Sequence, residues 1–526
     1  MFYKLFPAIL YFIIFTLVIV VFGKPWGYDE FGVLITHIEL TNNSFKNFYL
    51  SYFPIFENNN LLKEFFLFTL PIIISPLRWT YAIGISPIYS LMYFFPMDWE
   101  LAHRFFLLIY VCIAAFGISL ITKNLNSSQF EKNILLALLS IILISKNFNY
   151  WTLSLTHYSF NIICFGIFIA IYSNKKYSIS SKVFSFKSIG FFIVSMLNYF
   201  YIPILLASAV IEILLHKSKF FIRGMYKSWI LPGIGSFIGF CFIMIRTKFL
   251  DTNGLWSQNV YEKFQIYDHT FNGTLINFSE RIVQIFYYFF LDNNYNQNFI
   301  LDKNFDLNIF QASLVILFVI VLIVQGFKYS QNKKIAMVCM IIIFVTLVEY
   351  VFTSMPMIPS RHSLILFIPI SYFFSVLFAK VISIFLDHKW TGKFLKITLS
   401  FALLIFFIHS KEQFEENKSF DIAKLEDCIE NKVDQVILDQ CYLKPVMYQS
   451  IREKYDPIYS CGQRVIQKLS NKTREIAFIS NKDPYDNKSY IYAFLNEKDF
   501  LTKNNYKECK VENINLEFYK IENENK

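Results

Sequence analysis

Charge is what this 526-residue chain has least of. Asp, Glu, Lys and Arg make up only 17% of it, where a soluble protein carries roughly 25%. With 55% hydrophobic residues and a mean hydropathy of +0.42, that scarcity excludes an ordinary soluble domain. Several motifs are missing as well. There is no glycine-rich phosphate loop, no GxSxG and no HExxH, which argues against an ATP-driven transporter and against the serine-hydrolase and zinc-peptidase chemistries those patterns carry. No soluble segment on the basic side is long enough for a nucleotide-sugar catalytic domain. No internal repeat and no Gly/Ser-rich or Pro-rich linker divides the apolar part. No basic stripe accompanies the net charge of +10, so a nucleic-acid partner is not expected.

What the chain does have is repeated apolar runs. The first, residues 3–23, reads YKLFPAILYFIIFTLVIVVFG with Lys4 as its one charge, and a span needs about 20 such residues. It is too long for the apolar part of a signal peptide and no small-residue cleavage site follows it. Lys4 places the N-terminus inside. Short basic loops recur at Lys175, Lys176, Lys182 and Lys187; at Lys217, Lys219, Arg223 and Lys227; at Lys328, Lys333 and Lys334; and at Lys389, Lys393 and Lys396. The positive-inside rule assigns all four to the cytoplasm. The polar stretches 24–63, 247–307 and 410–526 then fall outside.

The expected architecture is an all-α polytopic membrane protein with about 11 to 13 spans. Residues 1–409 form the membrane domain, and 410–526 form a small exoplasmic α+β domain. Spans are expected near 229–246, 309–327, 335–353, 363–386 and 397–409, with others at 79–95 and 103–121. Residues 188–215 are too short for two crossings and read as a hairpin broken near Asn198 and Pro203.

Eight cysteines divide evenly. Cys112, Cys164, Cys241 and Cys339 lie in apolar runs and read as core residues. Cys428, Cys441, Cys461 and Cys509 lie in the tail, where two disulfides or unpaired thiols are the alternatives. Their spacing is too wide and irregular for zinc.

Candidate chemistry clusters at the expected outer ends. Asp29 and Glu30 follow the first run and open YDEFGVLITHIEL, whose apolar residues recur at helical spacing. Asp29 either caps that helix or does chemistry. Glu30 and His37 are seven residues apart and share a face. Asp98 and Glu100 precede Ala102-His103-Arg104, and His157-Tyr158 opens the run ending at Tyr172. Arg361-His362 stands before the run 363–386, and a guanidinium fork there suits a phosphate. Glu280-Arg281 leads into IVQIFYYFFL, read as an interfacial helix.

This order resembles that of GT-C type membrane glycosyltransferases, the class of protein O-mannosyltransferases, lipid A aminoarabinose transferases and oligosaccharyltransferase catalytic subunits. The likeness lies in a cytoplasmic-start span and an external loop opened by the acidic pair Asp29-Glu30. A Pro-led stretch at Ser75-Pro76-Leu77, an Arg opening a span at Arg104, a late Arg361-His362 before a span containing Pro369, and a soluble tail complete it. The resemblance implies inverting transfer of a sugar from a polyprenyl-phosphate donor to a lipid, glycan or protein of the cell envelope. Asp29 would be the base and Glu30 its helper, with Arg361, His362 and Arg104 on the donor phosphate. His37, Asp98, Glu100, His157 and Tyr158 are possible accessory residues. Relatives often carry a second acidic site where this chain has Thr156-His157-Tyr158, so no cofactor is expected and a divalent metal is not favoured, unless Asp98 or Glu100 substitutes. The expected location is a bacterial inner membrane with the tail in the periplasm, or else an endoplasmic reticulum membrane. An O-antigen type polymerase or ligase, and a transporter or flippase, are the alternatives.

If the tail holds disulfides, reductant will slow its migration on a denaturing gel; unchanged migration would count against them.

Overall fold

The computed structural model describes residues 2–21, 99–125, 128–174, 178–245, 270–290, 306–352, 363–415, 422–429, 433–439, 458–460, 475–481, 501–504 and 514–521. The chain divides into two compact units, Met1–Phe22 with Pro76–Ser410, and Gly23–Ser75 with Lys411–Lys526.

The first unit is all helix among its described residues. In order come α1 (Phe2–Val21), α2 (Trp99–Asn124), α3 (Gln129–Ile144), α4 (Lys146–Thr152), a 3₁₀ turn (His157–Phe160), α5 (Asn161–Ser173), α6 (Phe186–Leu197) and α7 (Tyr201–His216). There follow α8 (Ile230–Ile245), α9 (Phe271–Phe290), α10 (Ile309–Tyr329), α11 (Lys333–Phe352), α12 (Leu364–Phe385) and α13 (His388–Glu415). Arg104–Asn124, Ile309–Tyr329, Leu364–Phe385 and Trp390–Lys411 are each long and apolar enough to cross a membrane; α3 and α4 together add a fifth if their bent pair is one span. The protein is thus a polytopic membrane protein, and the parts of the expected 11 to 13 spans that fall on residues 24–98 lie outside the described residues.

One boundary differs from the sequence reading. The span expected at 103–121 runs over Arg104–Asn124, in a helix that starts at Trp99. The span expected at 397–409 begins at His388, so Lys393 and Lys396 are helical. Lysine is a good helix former, and its stem can lie along apolar surface while the ammonium turns outward; the Lys393 ammonium sits 4.2 Å from the Trp390 ring centre. The expected hairpin is present, with α6 and α7 meeting at Asn198. Pro203 is not at the break but is the third residue of α7, where its missing N–H has no helical partner in any case.

The basic loops gather at one end of this unit. Lys334 Nζ donates to the Ser173 carbonyl at 3.2 Å, Ser128 Oγ to Gln331 Oε1 at 2.6 Å, and Asn332 Nδ2 to the Asn124 carbonyl at 3.3 Å. The Lys328 and Lys380 ammonium groups each lie 5.6 Å from the Tyr329 ring centre. At the same end the base of the hairpin is tied by a buried ion pair, Lys187 with Glu212. Trp229 Nε1 donates to the same Glu212 oxygen at 3.0 Å. Lys187 also donates to the Ser178 carbonyl at 3.3 Å and lies 4.7 Å from the Trp229 ring centre.

α2 and α5 cross with their backbones in contact. A Cβ on Gly166 would lie 2.6 Å from the Gly117 carbonyl oxygen, and one on Gly117 would lie 2.7 Å from Ile163 Cα. Small residues permit such approach where helices pack inside a bilayer.

Of the second unit, one helix, α14 (Ile422–Ile429), and five strands are described: β1 (Gln435–Asp439), β2 (Ile458–Ser460), β3 (Glu475–Asn481), β4 (Leu501–Asn504) and β5 (Ile514–Ile521). They form one mixed sheet in the order β2-β1-β3-β5-β4. β1 runs parallel to β2 and β3, while β5 is antiparallel to β3 and β4. Leu425, Cys428 and Ile429 of α14 are buried. Cys428 is disulfide-bonded, whereas Cys112, Cys164, Cys241 and Cys339 are free. Cys441, Cys461 and Cys509 lie outside the described residues.

Breaking a buried pair from one side leaves an uncompensated charge, at a cost of about 3–5 kcal/mol. Lys187→Met will therefore lower the thermal unfolding midpoint in detergent sharply. Lys187→Met with Glu212→Leu will recover most of the loss.

Candidate functional site

Three elements stop short of a full crossing. α3 starts at the basic end, and after about 24 Å of helix rise the chain turns 84° at Ser145 into α4. α5, ending at Ser173 on the basic side, begins only after the turn at His157, about 20 Å away. The hairpin α6–α7 rises about 18 Å from the basic end before it reverses at Asn198. A hydrocarbon core is about 30 Å thick, so none of the three by itself completes a straight crossing.

Where they end, the structure places a floor of buried polar side chains. Ser145, Asn147, Asn149, Thr152, Ser154, Thr156, His157, Ser159, Asn161 and Asn198 are all buried. Isolated polar groups in an apolar interior are costly, and here they are bonded to one another and to neighbouring helices. Ser145 caps α4 by accepting from the Phe148 N–H at 3.3 Å while donating to the Phe289 carbonyl of α9 at 2.7 Å. Asn147 donates to the Tyr288 carbonyl. Trp151 Nε1 donates to the Tyr288 hydroxyl at 2.9 Å. Ser154 and Thr156 share a hydrogen bond at 2.6 Å. Asn198 Nδ2 donates to Asn161 Oδ1 at 2.9 Å, and the Tyr201 hydroxyl reaches the Asn161 carbonyl at 3.4 Å.

Aromatic rings fill the space between these bonds. His157 lies 3.9 Å from Tyr158, 5.1 Å from Tyr199 and 5.8 Å from Phe200, centre to centre. Trp151 meets Tyr158 edge to face at 5.5 Å. Phe148 stacks on Phe367 of α12 at 4.2 Å, and Phe289 meets the same ring at 5.0 Å. Tyr110 of α2 packs on Phe160 at 4.8 Å. Arg104, half-buried, precedes Tyr110 by six residues on α2, about 9 Å further from the basic end. It therefore stands above the floor.

The segment read as an interfacial helix is helical, α9, with one face buried. Ser279, Ile282, Gln284, Ile285, Tyr288 and Phe289 are buried, and Arg281 donates to Gln284 at 2.7 Å. The buried face packs against α10, α12 and the corner at Ser145 rather than resting on lipid alone.

Of the residues singled out from the sequence, Tyr158 and His157 sit in the floor and Arg104 stands above it. Asp29, Glu30, His37, Asp98, Arg361 and His362 lie outside the described residues, as does the side chain of Glu100. The arrangement also brings in Trp151, Asn161, Asn198, Tyr199 and Tyr288, which the sequence reading did not assign to a site. For Trp151 and Asn161 the signal was the polar run SKNFNYWTLSLTHYSFN, residues 145–161, between two apolar helices; Asn198, Tyr199 and Tyr288 lie outside that run. Among the described residues no three His, Cys, Asp or Glu side chains come together as a metal site.

Comparison with protein-family models, with curated proteins and with solved structures finds no match.

Tyr288→Phe leaves the Trp151 N–H buried without its acceptor. It will cost about 1–3 kcal/mol, read as a lowered unfolding midpoint with unchanged helix content.

Proposed function

We propose that this protein is a GT-C type membrane glycosyltransferase using a polyprenyl-phosphate sugar donor. The observation that carries the reading is the layer of buried polar side chains. It lies nearer the end of the bundle away from the basic loops, with Arg104 above it and the acidic pair Asp29-Glu30 following α1 in sequence. Sugar transfer needs polar groups at that depth because both the reacting sugar and its phosphate are polar, while the polyprenyl tail belongs in hydrocarbon.

The reaction runs by inversion. The acceptor hydroxyl oxygen attacks the anomeric carbon, and the bond from that carbon to the phosphate oxygen breaks with its electron pair leaving on phosphate. Asp29 takes the hydroxyl proton, with Glu30 beside it. Arg361, His362 and Arg104 stabilise the charge that develops on the leaving polyprenyl phosphate. His157 and Tyr158, both buried, are accessory residues. The acceptor is a cell-envelope lipid, glycan or protein. The disulfide at Cys428 favours an oxidising compartment for the second unit, which fits a bacterial inner membrane with that unit in the periplasm and an endoplasmic reticulum membrane equally.

A second reading, a transporter or flippase, draws on the broken hairpin α6–α7. Interrupted helices at membrane depth are common in transport proteins.

The test is transfer of labelled sugar from a polyprenyl-phosphate donor in proteoliposomes. Asp29→Asn will lower the rate roughly 10²–10⁴-fold, as for loss of a general base, with normal membrane insertion. Equal product from Asp29→Asn would remove Asp29 from the mechanism. Solute uptake without any glycosyl transfer would favour the second reading.

A further inference from the structure

The α6–α7 hairpin has a feature that its position at the bundle's basic end does not require: its tip enters the polar floor. Asn198 bonds in two directions there. Its Oδ1 accepts from the Phe200 N–H at 3.1 Å, which closes the reversal, and its Nδ2 reaches Asn161 of α5. Asn161 directly follows the 3₁₀ turn that carries His157, and its own N–H closes that turn on the Tyr158 carbonyl. The tip is thus bonded to the turn that fixes the His157 backbone. The next two residues, Tyr199 and Phe200, stack on each other at 4.2 Å and both pack on the His157 ring. His157 is 1% exposed and Phe200 3%, while Tyr199 keeps an exposed part. At the other end of the hairpin, Lys187, Glu212 and Trp229 anchor both helices, which fixes how far the tip reaches.

We infer that this hairpin fixes His157, with Tyr199 and Asn198 as positioning residues that orient the imidazole and shield it. Tyr199 acts by its ring, Asn198 by its amide. The shielding stands on the packing alone; the effect on sugar transfer rests on the function proposed above.

The two parts are read separately. Carbethoxylation of His157 by diethyl pyrocarbonate, located by peptide mass spectrometry, is measured against His216 at the basic end of α7. In the wild-type protein His157 will react slowly. In Tyr199→Ala it will react roughly tenfold faster, as expected when a local opening becomes cheaper, and Tyr199→Phe will restore the slow rate. Asn198→Ser gives the same acceleration through the other contact and serves if Tyr199→Ala does not fold. Wild-type reactivity at His157 in both Tyr199→Ala and Asn198→Ser overturns the inference. So does a wild-type His157 that reacts as fast as His216. In the transfer assay, Tyr199→Ala will lower kcat with little change in KM for the lipid donor, and Tyr199→Phe will recover kcat. An unchanged kcat in Tyr199→Ala removes the positioning role. Absence of transfer from wild-type protein would refute the proposed function, while the modification rates would still decide whether the hairpin shields His157.

Discussion

Hydrocarbon does not hydrogen-bond, and the membrane unit is organised by that constraint. Every polar group carried to membrane depth needs a partner inside the protein. Residues 145–161 carry many such groups to one depth, and the surrounding helices supply their partners. α9 turns the backbone carbonyls of Tyr288 and Phe289 and the Tyr288 hydroxyl toward Asn147, Ser145 and Trp151. The hairpin contributes Asn198 to Asn161. The hairpin would have no reason to reverse where it does if the floor were apolar. Longer, simpler spans would bury as much hydrocarbon surface without the cost of breaking.

The same constraint separates the two ends of the bundle. At the basic end, lysines bond loop carbonyls or lie over tyrosine and tryptophan rings, and one of them, Lys187, is fully buried against Glu212. A buried pair adds little net stability over an apolar one, so its contribution is better understood as fixing geometry. Here it sets the depth of a hairpin whose other end touches His157. Anchor and floor are thereby joined through two short helices of rigid length, and a change at Lys187 can be felt about 18 Å away.

How much of this was legible in the sequence depends on which forces set each feature. Long apolar windows specify spans by length alone, so α8, α10, α11 and α12 fall within a few residues of where hydropathy puts them. The hairpin break at Asn198 was legible because the stretch between two basic loops is too short to cross twice. The start of α13 was not, because lysine at a helix end satisfies both a loop and a snorkelling reading. The floor was the least legible part. His157 and Tyr158 stood out as polar residues at a span end, but Trp151 and Tyr288 are 137 positions apart and no local pattern pairs them. Asn198 looked like a helix breaker and is also a cross-helix donor. The acidic pair at Asp29 and the Arg361-His362 pair stood out for their chemistry and their place beside spans, and their roles rest on that sequence argument.

The central claim is that the polar floor faces the side of the membrane opposite the basic loops. It is tested most directly by sided labelling of single cysteines in a background with all eight native cysteines replaced. A cysteine at Tyr199 will react with a membrane-impermeant maleimide added from one side of sealed vesicles, and a cysteine at Lys328 from the other. Reaction of both from the same side would contradict the account.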